Sequence, residues 1–133
     1  MNLQQVRDFL KTEFPQNTAT VESVGNGEAV IHQQIDYQHL RPGDTVSGPT
    51  MMTVADCAIY VAIQGVIGPE PLAVTTNLNI NFLRKPIADK YIIGKASLIK
   101  VGKRLIIGEV KLYSQGMDEP VAFVTATYSV PPR

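Results

Sequence analysis

The sequence is poor in the features that mark several common classes of protein. It has one cysteine in 133 residues, Cys57, so no disulfide can form within the chain, and a cytoplasmic location is expected. Twelve basic and twelve acidic residues cancel, so no overall field attracts nucleic acid or an anionic membrane. No apolar run reaches the roughly 18 residues of a membrane span, and the first residues lack the layout of a secretion signal.

Motifs for bound metals and nucleotides are missing as well. No set of His, Cys and Asp residues has the spacing of metal ligands, and there is no phosphate loop or dinucleotide motif. The one Gly-x-Gly, at Gly25, is better explained by a hairpin turn. We therefore expect no metal and no redox cofactor. A chain of this length is expected to form one domain, residues 1–133.

Two helices and six strands are predicted from the spacing of apolar residues. An amphipathic helix is expected at 3–14 and a longer, almost wholly apolar one at 50–67, separated by a loop at 36–47. The strands are expected at 18–24, 28–35, 72–83, 91–101, 105–114 and 121–130. Short connections between consecutive strands imply an antiparallel sheet. A helix that is apolar nearly all round must be wrapped by other structure. The expected fold is therefore α+β, with a curled antiparallel sheet around a long central helix, which is the hotdog architecture.

Asp56 is the only charged residue between Asp44 and Glu70. A lone carboxylate inside an apolar helix costs several kcal/mol unless a partner or a use compensates. Upstream, Ser47-Gly48-Pro49 marks a helix start, where backbone N–H groups lack partners. A carboxylate and free N–H donors are the groups needed to activate water and to hold a developing oxyanion. Alternatively, Asp56 is a structural acid satisfied by neighbouring side chains or by a partner chain.

Polar residues form one stripe on the long helix and one face of the strand that follows it. The stripe on the helix consists of Thr53, Asp56, Tyr60 and Gln64. It suggests a subunit boundary, because in a monomer these polar groups would lack partners. Strict alternation in the strand places Val74, Thr76, Leu78, Ile80 and Phe82 on one face. It places Thr75, Asn77, Asn79 and Asn81 on the other.

From about Tyr37 to Pro86 the chain resembles hotdog-fold thioesterases of the phenylacetate-degradation (PaaI-like) group. Those proteins carry His-Gly-Gly at the start of the central helix and a catalytic Asp seven residues later. This chain has Ser47-Gly48-Pro49 and then Asp56 at the matching distance. The strand 74–82, followed by Arg84-Lys85-Pro86, is similar to the strand and closing proline of the family.

The resemblance implies hydrolysis of an acyl-CoA thioester to the free acid and CoA, without a cofactor. Asp56 would be the general base or the nucleophile, the Gly48 N–H would polarise the carbonyl, and Thr75 would orient the attacking water. The candidate substrate-binding residues are Ser47, Pro49, His39, Asn77, Arg84 and Lys85. Two positions depart from the motif, since Ser47 replaces the histidine and Pro49, which has no N–H, replaces the second glycine.

The family resemblance also implies assembly. Related proteins form dimers, and often dimers of dimers, whose sites combine residues from two chains. Asp56 of one chain is therefore expected to face Gly48 of another.

Other functions remain open at this level. A non-catalytic module that binds acyl-CoA or lipid would explain the two departures from the motif. A dehydratase is disfavoured because neither His32 nor His39 lies on the central helix, and catalysis by Cys57 is disfavoured because buried cysteines are common. The acyl group, aryl or medium-chain, is not specified. Side chains expected to line its pocket are Met51, Met52, Ile59 and Ile63.

Overall fold

The computed structural model of the protein describes residues 1–132. It contains two α-helices, α1 (Leu3–Glu13) and α2 (Gly48–Ile67). In chain order, the strands are β1 (Thr20–Gly25), β2 (Glu28–Gln33), β3 (Leu40–Arg41), β4 (Thr45–Val46), β5 (Val74–Phe82), β6 (Ile92–Val101), β7 (Leu105–Ser114) and β8 (Ala122–Ser129). The predicted helices and the six long strands are all present, which confirms the α+β class.

Local chemistry fixes the ends of these elements. In α1, Asn2 and Gln5 exchange backbone and side-chain hydrogen bonds in a capping box, which satisfies the first free N–H groups. The turn between β1 and β2 needs a left-handed backbone, which Asn26 and Gly27 adopt. The expected loop at 36–47 was only partly right. It holds a short 3₁₀ helix at Tyr37–His39 and the β3–β4 pair, which were too short to show a period.

Six strands form one antiparallel sheet in the order β1-β2-β6-β7-β8-β5. The helix α2 packs against one face of this sheet, chiefly on β6, β2, β7 and β1. Inward-facing residues of the strands alternate with exposed ones, as the burial of Ile106, Val110 and Leu112 on β7 shows. Strands β1 and β5 lie at the two edges, and β5 pairs only with β8 within the described residues.

The central helix corrects one expectation from the sequence. At 20 residues and a mean hydropathy of 1.5, α2 is long and apolar enough to span a membrane by length and composition alone. The prediction that no segment reaches that limit was therefore wrong, because the isolated Asp56 and the small polar residues barely lower the average. Eleven residues of α2 are buried within the fold, as expected for the core helix of a sheet-wrapped domain.

The polar stripe on α2 also corrects an expectation. The connection after the helix folds back along it, so Tyr60 donates to the Pro71 carbonyl at 3.1 Å. Gln64 donates to the Glu70 carbonyl and accepts from the Glu70 N–H, both at 2.7 Å. Partners for this stripe therefore exist within one chain. The argument that a monomer would strand these groups was wrong.

Candidate active site

The carboxylate of Asp56 is held by two hydroxyl groups from the sheet. Thr75 Oγ1 donates to its Oδ1 at 2.5 Å, and Tyr128 Oη lies 2.6 Å from the same oxygen. Tyr128 Oη is also 2.9 Å from the Asp56 carbonyl oxygen. No hydrogen bond from residues 1–132 reaches Oδ2. Asp56 is half-buried rather than fully enclosed, and its second oxygen is available for chemistry.

A β-bulge brings Thr75 to Asp56. In the β5–β8 ladder Thr75 pairs with Tyr128, whereas Asn77 pairs with Thr127, so one extra residue lies between them on β5. This extra residue reverses the alternation of side chains on one side of the bulge. Thr75 therefore faces α2. The sequence prediction that placed it on the face of Asn77, Asn79 and Asn81 was wrong for this residue.

Tyr128 was missed by the sequence analysis. It lies on β8, and only 2% of its surface is exposed. Burial, and next the negative charge of Asp56, raises the pKa of its hydroxyl, so this group remains protonated and serves as a donor at neutral pH. The available signal was the alternation of β8, whose inward face consists of small apolar residues except for this one polar tip.

A cavity of about 610 Å³ opens beside Asp56. One wall comes from α2 and the sheet, and includes Val54, Tyr60 and Ala73. The other comes from the end of α1 and the segment after it, including Phe14 and Asn17. Phe14 packs edge-on against Tyr60, with ring centroids 5.9 Å apart. The cavity is thus partly aromatic and adjoins a carboxylate.

The four apolar residues expected to line an acyl pocket lie in different places in the structure. Ile59 and Ile63 are fully buried and line neither this cavity nor the one described below, so their predicted role in a pocket was wrong. A Cβ added at Gly108 of β7 would lie 2.6 Å from Cδ1 of Ile59, so Ile59 packs against the sheet. Met52 is exposed, and Met51 lines the second cavity.

Cys57 also lines the first cavity, but it is not activated. Its thiol lies 3.3 Å from Asn17 Oδ1 and donates to it. Burial, with a smaller effect of the Asp56 charge, raises its pKa from the ordinary 9.0 to about 12. A thiol with that pKa is almost entirely protonated at neutral pH, and only the thiolate is a strong nucleophile.

The start of α2 carries the second half of the predicted site. Ser47 is the N-cap, and its Oγ accepts from the Thr50 N–H at 3.3 Å. Pro49 has no N–H, so Gly48 supplies the remaining N–H group at the first turn; no hydrogen bond from it is found within residues 1–132. A Cβ on Gly48 would lie 3.2 Å from Cζ of Phe82. The glycine therefore lets the Phe82 ring lie against the helix start.

A second, more open cavity of about 440 Å³ adjoins Gly48. Three basic residues and no acidic residue line it, namely Arg41, Arg84 and Lys85. Arg84 is already engaged, since it pairs with Glu119 at 2.6 Å and donates to the Pro120 carbonyl. Lys85 is exposed and forms no ion pair with the described residues. It is the freer of the two predicted cationic contacts.

The remaining candidates lie outside both cavities. His39 Nδ1 accepts from the Asp36 N–H at 2.9 Å, and its carbonyl accepts from the Ser47 N–H at 2.8 Å. These bonds give His39 a structural role in holding the entry to α2. Asn77 accepts from the Asn79 side chain at 2.8 Å on the outer side of the edge strand.

Asp56 and Gly48 are not brought together within one chain. Eight residues of helix separate them, which at about 1.5 Å per residue corresponds to roughly 12 Å along the axis. They line different cavities. A single thioester carbonyl cannot contact both groups of the same chain.

A sequence profile of the thioesterase superfamily matches residues 43–121 of the chain. The match includes Gly48, Asp56 and Thr75. The chain belongs to the thioesterase superfamily. It is a thioester hydrolase by family, and the PaaI-like hotdog resemblance is confirmed.

Solved structures agree with this assignment. A presumed thioesterase of a Silicibacter species is 38% identical, with a TM-score of 0.91 over 99% of this chain and 93% of that one. The PaaI protein of Escherichia coli is 18% identical, with a TM-score of 0.82 over 98% and 96%. A hypothetical thioesterase of Streptococcus pneumoniae, solved with coenzyme A, is 18% identical, with a TM-score of 0.77 over 98% of both chains. No curated protein matches the sequence of this thioesterase.

Proposed function

We propose that this thioesterase hydrolyses acyl-CoA, with Asp56 of one chain and Gly48 of a second chain acting on the same carbonyl. The observation that carries the proposal is the environment of Asp56. Two hydroxyls hold one carboxylate oxygen, and Asp56 lines a cavity of about 610 Å³, large enough for an acyl group. General bases need this combination of fixed position and access to water.

The edge strand β5 supports a site built from two chains. Near its first residue, Thr75 contacts Asp56, and at its last residue, Phe82 lies against Gly48. If β5 pairs antiparallel with β5 of a second chain, the start of one strand lies beside the end of the other. Neighbouring strands are about 4.8 Å apart. Asp56 of one chain then approaches Gly48 of its partner, and the two cavities join.

Exposure of β5 favours such pairing. The strand is nine residues long, and Val74 and Phe82 are 56% and 51% exposed. A long edge strand with apolar side chains and free backbone groups is a template for another strand. A homodimer with two equivalent sites follows, and further association into a dimer of dimers is compatible with it.

The proposed reaction has four parts. Water bound between Asp56 Oδ2 and the thioester carbonyl attacks the carbon while the carboxylate takes its proton. The Gly48 N–H and the positive end of α2 stabilise the oxyanion. The tetrahedral intermediate then expels the CoA thiolate, which accepts the proton, and the free acid leaves. This chemistry needs no metal or redox cofactor.

A CoA leaving group is consistent with the charge of the second cavity. Lys85 and Arg41 can contact phosphate oxygens there, whereas Arg84 would have to give up Glu119. A protein of the same fold was solved with coenzyme A, which supports CoA as the carrier.

The test is release of free CoA from a panel of aryl-CoAs and fatty-acyl-CoAs. We expect Asp56→Asn to lower kcat by about 100-fold or more, the usual scale for a lost general base. Asp118→Asn, the same change on an exposed turn, is the matched control and retains wild-type turnover. Binding without turnover in the wild type would instead identify an acyl-CoA-binding module. Turnover that survives Asp56→Asn would remove Asp56 as the base.

A further inference from the structure

The two oxygens of the Asp56 carboxylate have unequal surroundings. Oδ1 accepts from both Thr75 and Tyr128, whereas no donor within residues 1–132 reaches Oδ2. A carboxylate held through one oxygen cannot rotate freely about its terminal bond. Its second oxygen is then held in one position, and Asp56 lines the first cavity.

Tyr128 is the more rigid of the two donors. It lies on β8, which is paired on both sides, by β7 and β5, and its side chain is nearly inaccessible. Its ring packs near Tyr60, with centroids 6.5 Å apart. Thr75, in contrast, is exposed on the edge strand. Tyr128 therefore holds Oδ1 from a strand that is paired on both sides within one chain.

We propose that Tyr128 is a positioning residue for hydrolysis: its hydroxyl fixes Oδ1 of Asp56, so that Oδ2 alone receives the proton from the attacking water. This inference rests on the proposed role of Asp56 as the base. Tyr128 does not itself exchange a proton with substrate, since both acceptors of its hydroxyl belong to Asp56 and its ring is buried.

No basic side chain lines the first cavity beside Asp56. The groups of the first cavity that can carry charge are Glu13 from α1, Asp56, Cys57 and Tyr60 from α2, and Tyr128 from β8. None of these groups is basic. The two donors to the Asp56 carboxylate, Thr75 and Tyr128, are neutral hydroxyls. The Asp56 carboxylate is therefore held by hydrogen bonds from neutral donors and not by an ion pair.

The test is the kinetics of Tyr128→Phe, which removes one oxygen and keeps the ring. We expect kcat to fall by about 10-fold, within the range for a lost hydrogen bond to a charged group, while KM changes little. A residue that only fills space would not lower kcat while leaving KM unchanged.

Tyr113→Phe is the matched control. It makes the same chemical change on β7, where the Tyr113 ring faces outward and carries the Lys95 ammonium 4.9 Å from its centre. Phenylalanine keeps that contact, so kcat and KM remain those of the wild type.

A second set of variants tests the other donor to the same oxygen. Thr75→Val removes the other donor from the exposed edge strand and should lower kcat, whereas Thr75→Ser, which keeps the hydroxyl, should retain it. With both donors gone, in Thr75→Val/Tyr128→Phe, the loss should exceed the product of the single losses.

Wild-type kcat in Tyr128→Phe would overturn the positioning role, and so would independent, multiplicative losses in the double variant. Either result differs from failure of the proposed function, which would appear as turnover that survives Asp56→Asn.

Discussion

Thr75 and Asp56 meet because strand β5 contains one extra residue. The 2.5 Å hydrogen bond from Thr75 Oγ1 to Asp56 Oδ1 joins an edge strand to the central helix. Without the bulge between Thr75 and Asn77, the threonine would face away from α2. A local irregularity thus aims a hydroxyl at the one carboxylate of the helix.

The N–H of Gly48 can be removed by a single substitution at the start of α2. Gly48→Pro abolishes the donor, and proline is well suited to the first turn of a helix. We expect kcat to fall by about 10²–10³, as for other lost oxyanion donors. Steady-state kinetics on the best acyl-CoA of the panel measure the effect.

Gly48→Ala is the matched control for that change. It adds a Cβ that meets Phe82 but retains the N–H, so its loss in kcat should be clearly smaller than that of Gly48→Pro. Equal losses would show that displacement of Phe82, and not the missing donor, explains the effect.

The sequence predicted most of the fold. At the site it drew attention to Asp56, but it did not predict the contacts made by Thr75 and Tyr128. Helix and strand periods identified the eight long elements, because burial on one face imposes those periods. Asp56 stood out as a lone charge in an apolar helix. The orientation of Thr75 was not predictable, because a bulge depends on pairing with β8 and leaves no mark in the alternation. Tyr128 was missed because a tyrosine in a strand is ordinarily only a packing residue.

Other contacts depend on segments distant in sequence. Arg84 was expected to be free for substrate, but Glu119 reaches it from the turn before β8. Phe14 and Asn17 form one wall of the first cavity. This wall was not predicted, because the sequence does not show where the end of α1 lies relative to α2. The partners of Tyr60 and Gln64 are backbone groups of the segment after α2. They were not predicted, because backbone groups are the same whatever the side chains in that segment.

Cys57 should be unreactive in the folded protein. With its pKa raised from 9.0 to about 12, its thiolate fraction at pH 8 is about 1,000-fold below that of an ordinary cysteine. Iodoacetamide labelling followed by mass spectrometry should show almost no modification in buffer and full modification in denaturant. Rapid labelling of the folded protein would contradict the buried thiol.

The raised pKa of Cys57 also makes the stability of the fold depend on pH. Above pH 9 the unfolded chain releases the Cys57 proton, while the folded chain keeps it up to about pH 12. The contribution of the thiol to the free energy of unfolding is therefore complete below pH 9 and decreases between pH 9 and 12. Cys57→Ala should lack this part of the alkaline loss when unfolding is followed in denaturant.

Pairing through β5 should be sensitive to charge at its centre. Asn79→Arg places like charges close together across the proposed strand pair, which is destabilising. Light scattering should show a shift towards monomer, and activity should fall in parallel. Thr125→Arg is the control, because Thr125 lies opposite Asn79 on β8, one strand away from the edge. A dimer that is unaffected by Asn79→Arg would place the interface elsewhere.

The central claim, a site completed by Asp56 of one chain and Gly48 of another, is tested most directly with hybrid dimers. A dimer of one Asp56→Asn chain and one Gly48→Pro chain, isolated with two different tags, contains one doubly altered site and one intact site. Each parent homodimer has two damaged sites. The account predicts that the hybrid recovers about half of the wild-type CoA-release activity, as one of two equivalent sites requires. A hybrid as inactive as its parents would contradict it and place both groups of each site in the same chain.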